Sequence, residues 1–127
     1  MQIPKPTDED RTRFRSLVPD DPRVEIKPMV GNLGGFVNGN MFMGLFGPDI
    51  GVRLAPEDAE RLRAVVGAGP FGPAERPMGG YVTLPTTLIG TPEADRWVAR
   101  SLDLVAEMPP KAPPASPSRV TRRAATR

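Results

Sequence analysis

Apolar and polar side chains alternate at residues 23–27, and this pattern predicts the first strand, while capping signals upstream predict a helix before it. Residues 23–27 switch between charged and apolar at every position, which is typical of a half-buried strand and predicts that Val24 and Ile26 point inward. Upstream, Thr7 and the three acids behind it favour a helix start, because the free N–H groups and the helix dipole attract such side chains. Pro19 ends this predicted helix.

The next segment is rich in glycine and predicts a meander of antiparallel strands. Seven glycines lie between Gly31 and Gly51, interleaved with large apolar residues. Asn38 and Gly39 separate two apolar runs and indicate a hairpin, since both residue types accept the positive φ of tight turns. A second turn is expected at residues 47–49. The predicted strands lie near residues 24–29, 34–37, 41–46 and 50–54.

A second helix is predicted directly after the meander. Pro56 stands at its first position with two acids behind it, an arrangement favoured at helix starts. Ala59, Leu62 and Val66 are expected to line its inner face, and Gly67 is expected to end it.

The last third of the folded region predicts a loop, a short strand and a third helix. Residues 67–79 contain four glycines and three prolines and are expected to form a long loop. Residues 81–84 predict a short strand, and Thr91 is expected to cap the final helix. That helix carries an amphipathic stripe expected to close the core: Ala94, Trp97, Val98, Ser101, Leu102 and Val105. The predicted fold class is α+β, an antiparallel meander with flanking helices in the order α-β(4)-α-β-α.

Composition divides the chain into a folded domain at residues 1–107 and a basic tail at residues 108–127. The tail has five prolines, four alanines and five basic residues, no acid, and Val120 as its one β-branched aliphatic residue. Such a segment cannot bury enough apolar surface to offset its ordering entropy, so we expect it to be disordered. The body carries more acids than bases, so the tail supplies the net positive charge.

The absence of cysteine and histidine excludes several classes of chemistry. The chain has neither residue type, which removes disulfides, thiol catalysis, histidine-based proton transfer and the usual structural zinc sites. We therefore expect no enzyme activity, no catalytic residue, no cofactor and no metal. No apolar run approaches the ~18 residues of a membrane span, and the polar N-terminus does not resemble a signal peptide. A cytoplasmic protein without membrane contact is expected.

Two motifs have structural explanations that are preferred to functional ones. Gly31, Gly34 and Gly35 have a spacing found in phosphate-binding loops, but a strand and a hairpin are predicted to follow, where such loops need a helix. Turns and close backbone packing explain these glycines better. The paired acids at residues 20–21 and 57–58 lie at a predicted turn and helix start, where acids are ordinary.

Five residues are candidates for contact with a protein partner. The methionines and phenylalanines of the meander are mostly expected in the core, with Met43 and Phe46 the candidates for exposure beside the second turn. Arg53 alternates with apolar neighbours and is expected to face away from the core. Arg76 lies within the 67–79 loop, and Tyr81 follows it. A solvated sheet face is the preferred explanation for these residues, and anchoring of the loop or contact with a partner is the alternative.

The tail is a candidate for weak contact with nucleic acid. Its basic residues can bind phosphates by counterion release, although the tail lacks aromatic residues for stacking on bases. A solubilising role is the simpler alternative. The candidate contacts are Lys111, Arg119, Arg122, Arg123 and Arg127.

Several short blocks occur in the order found in one known family. They are Pro28-Met29-Val30-Gly31-Asn32-Leu33-Gly34-Gly35-Phe36-Val37-Asn38-Gly39-Asn40-Met41-Phe42, then Gly51-Val52-Arg53-Leu54, Gly69-Pro70-Phe71, Arg76-Pro77-Met78, Tyr81-Val82-Thr83-Leu84-Pro85, and a last helix with Trp97. Over about residues 8–108 the chain resembles the N-terminal domain of the TfoX (Sxy) competence-regulator family. The family usually has Phe after the Pro-Met pair, where this chain has Val30.

The resemblance implies an α+β fold of the YjbR-like or secretion-chaperone-like kind, and a regulatory association without catalytic residues. Founding members promote competence gene expression alongside a cyclic-AMP-responsive activator and carry a second, helical domain. We expect this chain to be a single-domain member. The leading hypothesis is a non-enzymatic regulatory or adaptor domain in transcription or competence control, with an unidentified protein partner, as a monomer or homodimer. The alternatives are a DNA-associated protein acting through its tail, and a small-molecule binder using the sheet face around Arg53.

Overall fold

The computed structural model describes residues 3–29 and 31–111, and within them three α-helices pack on one antiparallel sheet. The helices are α1 at Asp8–Leu17, α2 at Pro56–Arg63 and α3 at Pro92–Ala106. The strands are β1 at Val24–Met29, β2 at Asn32–Val37, β3 at Asn40–Phe46, β4 at Asp49–Arg53, β5 at Gly69–Pro70 and β6 at Tyr81–Thr83. A short 3₁₀ turn at Thr86–Leu88 precedes α3.

The sheet confirms the predicted α+β class. Its strand order is β1-β2-β3-β4-β6-β5, and each neighbouring pair is antiparallel. The difference from the prediction is β5, a two-residue strand inside the expected 67–79 loop, where Gly69 pairs with Thr83 and Pro70 with Val82. Two residues are too few to show an alternating pattern. Residues 112–127, most of the proposed tail, and Val30 lie outside the described residues.

Both predicted hairpin turns are present. Asn38 and Gly39 connect β2 to β3 with φ of 54° and 79°, the left-handed conformation that a two-residue type I′ turn requires. Gly47 has a φ of 62° and is the first of the two residues between β3 and β4. The turn chemistry therefore specified the pairing of the central strands.

The helix starts largely follow the sequence signals. Thr7 forms a capping box with Asp10, in which each side chain accepts a hydrogen bond from the other residue's backbone N–H. Both α2 and α3 begin with a proline. Thr91 is the residue before α3, but its hydroxyl donates to Leu88 O and makes no capping bond. The Thr91 hydroxyl therefore stabilises the preceding turn, and the expected cap is absent.

The core lies between the three helices and one face of the sheet, which we call the inner face. The predicted stripe of α3 is buried there through Ala94, Val98, Ser101, Leu102 and Val105, while Trp97 is half-buried at its margin. The helices pack mainly on β2, β3, β4 and β6. The inner face of β1 therefore has little helical cover.

Two residues predicted to lie on the core side are exposed to solvent instead. Ile26 is 38% exposed, because β1 is the edge strand and the helices do not extend over it. Val66 is 91% exposed, because α2 ends at Arg63 and the chain turns before Val66 can join the helix face. The strand and helix were predicted in the right places, but periodicity does not show where a covering layer ends.

A β-bulge in β3 links the sheet to α3. Gly35 faces Met43 while its neighbour Phe36 faces Met41, so Phe42 is an extra residue in β3. The Phe42 carbonyl accepts a hydrogen bond of 2.6 Å from the Ser101 hydroxyl, and both residues are buried. Ser101, which carries the buried hydroxyl of the α3 stripe, therefore supplies the hydrogen-bond donor for the backbone carbonyl at the bulge.

We expect Ser101→Ala to lower the free energy of unfolding by about 1–3 kcal/mol, because it leaves the buried Phe42 carbonyl without its side-chain partner. Urea denaturation followed by circular dichroism measures the change. Ser16→Ala is the matched control, because the Ser16 hydroxyl bonds to Arg13 O on the exposed side of α1. Equal, small losses for the two variants would show that the bulge does not depend on Ser101.

Candidate functional site

Three glycines lie side by side on the face of the sheet opposite the helices, which we call the outer face. Gly34 of β2 pairs with Gly44 of β3, and Gly44 pairs with Gly51 of β4. None of the three has a positive φ, so backbone conformation does not explain them. We call these residues the glycine row.

Two members of the glycine row, Gly44 and Gly51, make room for the aromatic ring of Phe71. A Cβ atom added to Gly51 would lie 2.3 Å from Phe71 Cγ, and one added to Gly44 would lie 3.3 Å from Phe71 Cζ. Phe71 is consequently 2% exposed although it belongs to the segment after β5. Close approach of a ring to the backbone requires glycine at Gly51, where a side chain would occupy the ring's position.

Further contacts hold the segment at residues 71–78 against the outer face. The Phe71 ring lies 6.3 Å from the Phe46 ring, edge to face, and 6.0 Å from the Tyr81 ring. The Met78 N–H donates to Phe71 O at 2.8 Å. The Tyr81 hydroxyl donates to Met41 O at 2.8 Å, which ties β6 to β3 across the outer face.

An apolar groove lies between this segment, the sheet and the N-terminal residues. The groove encloses about 150 Å³. Its apolar walls include three methionines, Met29, Met41 and Met78, together with Phe46, Phe71 and Pro73. Thioether side chains are flexible and polarisable, so a wall of this kind adapts to apolar groups of different shape.

Asn32 positions the N-terminal residues at one end of the groove. Its amide Nδ2 donates to Pro4 O at 3.2 Å, and its Oδ1 accepts from Gly47 N–H at 2.9 Å. Ile3, next to Pro4, lines the groove and is partly exposed. The buried amide therefore fastens the start of the chain to the turn between β3 and β4.

Met43 does not have the exposure that the sequence suggested. Its side chain is fully buried in the core, so the prediction that Met43 is exposed for a partner is wrong. The bulge at Phe42 shifts the alternation of β3, so that Phe42 and Met43 both enter the core while Met41 lines the groove. A simple period of two cannot show such a shift.

The other predicted contact residues lie on or near the outer face. Phe46 lines the groove. Tyr81 does not line it, but its ring packs near Phe71 and its hydroxyl is bonded to Met41 O. Burial raises the pKa of Tyr81, with nearby Arg53 acting in the opposite direction. Arg53 pairs with Tyr81 across the strands and is half-buried outside the core, as expected. Arg76 is exposed in the segment between Pro73 and Met78.

Sequence reasoning missed Phe71, Met78 and Ile3 as groove residues. Phe71 is the one aromatic residue within residues 67–79, and a large apolar side chain among glycines and prolines was the available signal that this segment packs on something. Of the proposed tail contacts, Lys111 is described and exposed, and its N–H donates to Asn38 O at 2.8 Å. Arg119, Arg122, Arg123 and Arg127 lie outside the described residues.

A second cluster of polar side chains lies between α2 and α3. Asp58 accepts hydrogen bonds from Arg100 Nε at 2.8 Å and from Arg100 Nη2 at 2.9 Å, and another from Arg61 at 3.2 Å. The bonds from Arg100 hold the pKa of the Asp58 carboxyl below its usual range. Trp97 borders the same cluster. These contacts join two helices, and a structural role accounts for them.

Two features are not found in the described part of the chain. Within residues 3–29 and 31–111, no helix has both the length and the hydrophobicity to cross a bilayer. The same residues contain no group of three acidic side chains arranged to hold a metal ion.

The fold and groove define a class: an α+β domain with helices on one sheet face and a loop-covered apolar groove on the other. The TfoX N-terminal domain family matches residues 16–105, most of the chain. The chain belongs to that family, as its motifs suggested, and the family supports a regulatory or competence-related domain in general. No curated protein and no solved structure matches the chain.

We expect Gly51→Ala to lower the free energy of unfolding by about 1–3 kcal/mol, because its Cβ would displace the Phe71 ring from the sheet. Urea denaturation measures the stability, and proton NMR of the Phe71 ring reports the displacement. Gly69→Ala is the control, since nothing lies within 4 Å of a Cβ added to Gly69 and its φ is not positive. An unchanged Phe71 environment in Gly51→Ala would contradict the packing role of the glycine row.

Proposed function

We propose that the protein is a non-enzymatic regulatory or adaptor domain of the cytoplasm that binds another protein through the outer-face groove. The observation that carries this proposal is the apolar groove with three methionines in its wall. Apolar recesses with adaptable walls are common where proteins accept side chains of a partner.

The size of the groove favours a partner's side chain over a small-molecule ligand. Its volume is about 150 Å³, whereas pockets for drug-sized ligands usually enclose roughly 300–1,000 Å³. Its lining is almost entirely apolar, with Asn32 as the polar exception. Both the Nδ2 and the Oδ1 of Asn32 already form hydrogen bonds within the protein. We therefore propose that one large apolar side chain of the partner, such as leucine, methionine or phenylalanine, enters the groove.

Membership of the TfoX N-terminal family supports a regulatory setting. Within that setting we propose action in transcription or competence control, with the domain contacting a protein of that machinery. The residues proposed to contact the partner are Met29, Met78 and Phe46 in the groove, with Arg53 of β4 and Arg76 of the exposed segment outside its wall.

We expect a photo-crosslinking amino acid at Met78 to capture a discrete partner in cells that naturally express the protein. The same amino acid at Val66, which is 91% exposed and is not part of the groove wall, is the control and is expected to capture no discrete partner. Mass spectrometry identifies the crosslinked species. Adding Met29→Glu, which places a charge at the groove, is expected to reduce the Met78 crosslink at least tenfold.

A crosslink at Met78 that persists unchanged with Met29→Glu would show that the partner does not use the groove. The same protein captured equally from Met78 and Val66 would indicate nonspecific proximity. Circular dichroism on each variant separates loss of binding from loss of folding.

A second proposal concerns nucleic acid, and the charge of the tail supports it. Residues 108–127 carry five basic residues and no acid, so weak binding to phosphates by counterion release is expected. Replacing Arg119, Arg122, Arg123 and Arg127 by alanine in the full chain should abolish binding to a labelled DNA duplex at low salt. Fluorescence anisotropy measures the affinity. Undiminished binding by this variant would assign DNA contact to the folded body, and no binding by the natural chain would end this proposal.

A further inference from the structure

The two edges of the sheet differ in their capacity to pair with another strand. One edge is β5, which has two residues, one of them Pro70. The other is β1, which has six residues and is paired only on the side of β2. Ile26 of β1 is among the few large apolar side chains exposed in the described residues. An open edge strand with an exposed apolar side chain is a potential pairing site for a further strand.

The free edge of β1 offers one N–H group for such pairing. In an antiparallel pair, the N–H groups of successive residues point alternately toward the partner strand and away from it. The Val24 N–H points away from β2, because it donates to Asp21 O at 2.9 Å. By alternation the Ile26 N–H points away as well, and Pro28 in the next such position has no N–H. Only Ile26 therefore has an unbonded outward N–H on β1.

The charged side chains on either side of Ile26 are complementary to those of a second β1 strand. When two antiparallel strands face each other at Ile26, Glu25 of each lies opposite Lys27 of the other, because their positions are symmetric about residue 26. The Glu25 and Lys27 side chains are 73% and 47% exposed and share the outer face of β1, where they form an ion pair of 3.8 Å within the chain. A dimer would exchange this exposed pair of each copy for two pairs between the copies. Directly opposed unlike charges stabilise a strand pair, and like charges destabilise it.

We infer that β1 is a self-association edge, where two copies of this chain pair their β1 strands antiparallel about a two-fold axis at Ile26. Each Ile26 N–H donates to the Ile26 carbonyl of the other copy. This pairing satisfies the one free outward N–H of each β1 strand. The two Ile26 side chains meet on the inner face, where the helices leave them uncovered. Glu25 and Lys27 form two ion pairs on the outer face. The product is one continuous sheet with the two grooves available.

The register excludes most other strands from this edge. The Val24 N–H is occupied by Asp21 O, and Pro28 has no N–H. Ile26 therefore supplies the one free donor on this edge, and a strand that is not centred on Ile26 can form only one hydrogen bond from a β1 donor. Lys27 and Pro28 are also residues that commonly protect edges from indiscriminate pairing. Two main-chain bonds, a small apolar contact and exposed ion pairs predict a weak, reversible dimer, because exposed ion pairs add little each.

Charge exchange tests the inference with the full chain. Sedimentation equilibrium over a range of concentrations is expected to show a monomer–dimer equilibrium for the natural protein. Glu25→Lys and Lys27→Glu each place two pairs of like charges opposite one another at the interface. Each variant should therefore weaken dimerisation about tenfold. The double variant Glu25→Lys/Lys27→Glu restores both pairs and should dimerise as the natural chain does. An equimolar mixture of the two single variants should form heterodimers, since every opposed pair is then unlike.

Hydrogen exchange at Ile26 gives a second, independent readout. The Ile26 amide should become slower to exchange as protein concentration rises, while the amides of α2 should not change. A natural chain that stays monomeric at millimolar concentration would overturn the inference. So would a dimer whose strength is the same in both single variants, or a dimer without concentration-dependent protection at Ile26. Thermal unfolding of each variant distinguishes a lost interface from a lost fold.

Discussion

Close packing of Phe71 on the glycine row is the contact on which the outer face of this protein depends. The sheet has helices on one side only, so its other face would be open to water without this ring. Gly44 and Gly51 have no side chains, and the ring occupies the space where those side chains would be. The segment after β5 is consequently drawn onto the sheet, and the apolar groove is the space that remains between that segment, β3 and the N-terminal residues.

The inner face is held by a different kind of contact. Apolar side chains of α3 fill it, and the hydroxyl of Ser101 meets the carbonyl of Phe42 at the bulge of β3. The bulge also explains how one strand serves both faces, because it sends Met43 into the core and Met41 to the groove. Core packing and the candidate site are therefore linked through a single irregular strand.

The two surfaces proposed for binding face different directions and share one residue, Met29. The groove opens on the outer face and is suited to an apolar side chain of a different protein, whereas the edge of β1 presents Glu25, Ile26 and Lys27 to a second copy. Met29 belongs to both regions, since it ends β1 and lines the groove. A dimer through β1 would place two grooves on one continuous outer face, which suits a regulatory domain that binds a symmetric partner.

Much of the architecture could be predicted from the sequence, because it depends on local chemistry. The Asn38-Gly39 turn, the capping box of Thr7 and the prolines that open α2 and α3 act through neighbouring atoms, and the helices and strands they delimit lie where expected. The family was also recognisable from short ordered motifs. Tertiary structure alone decided that Met43 is buried, that Ile26 is exposed and that Phe71 completes a groove. Each of these depends on which distant segment covers a given face, and local periodicity contains no information about distant cover.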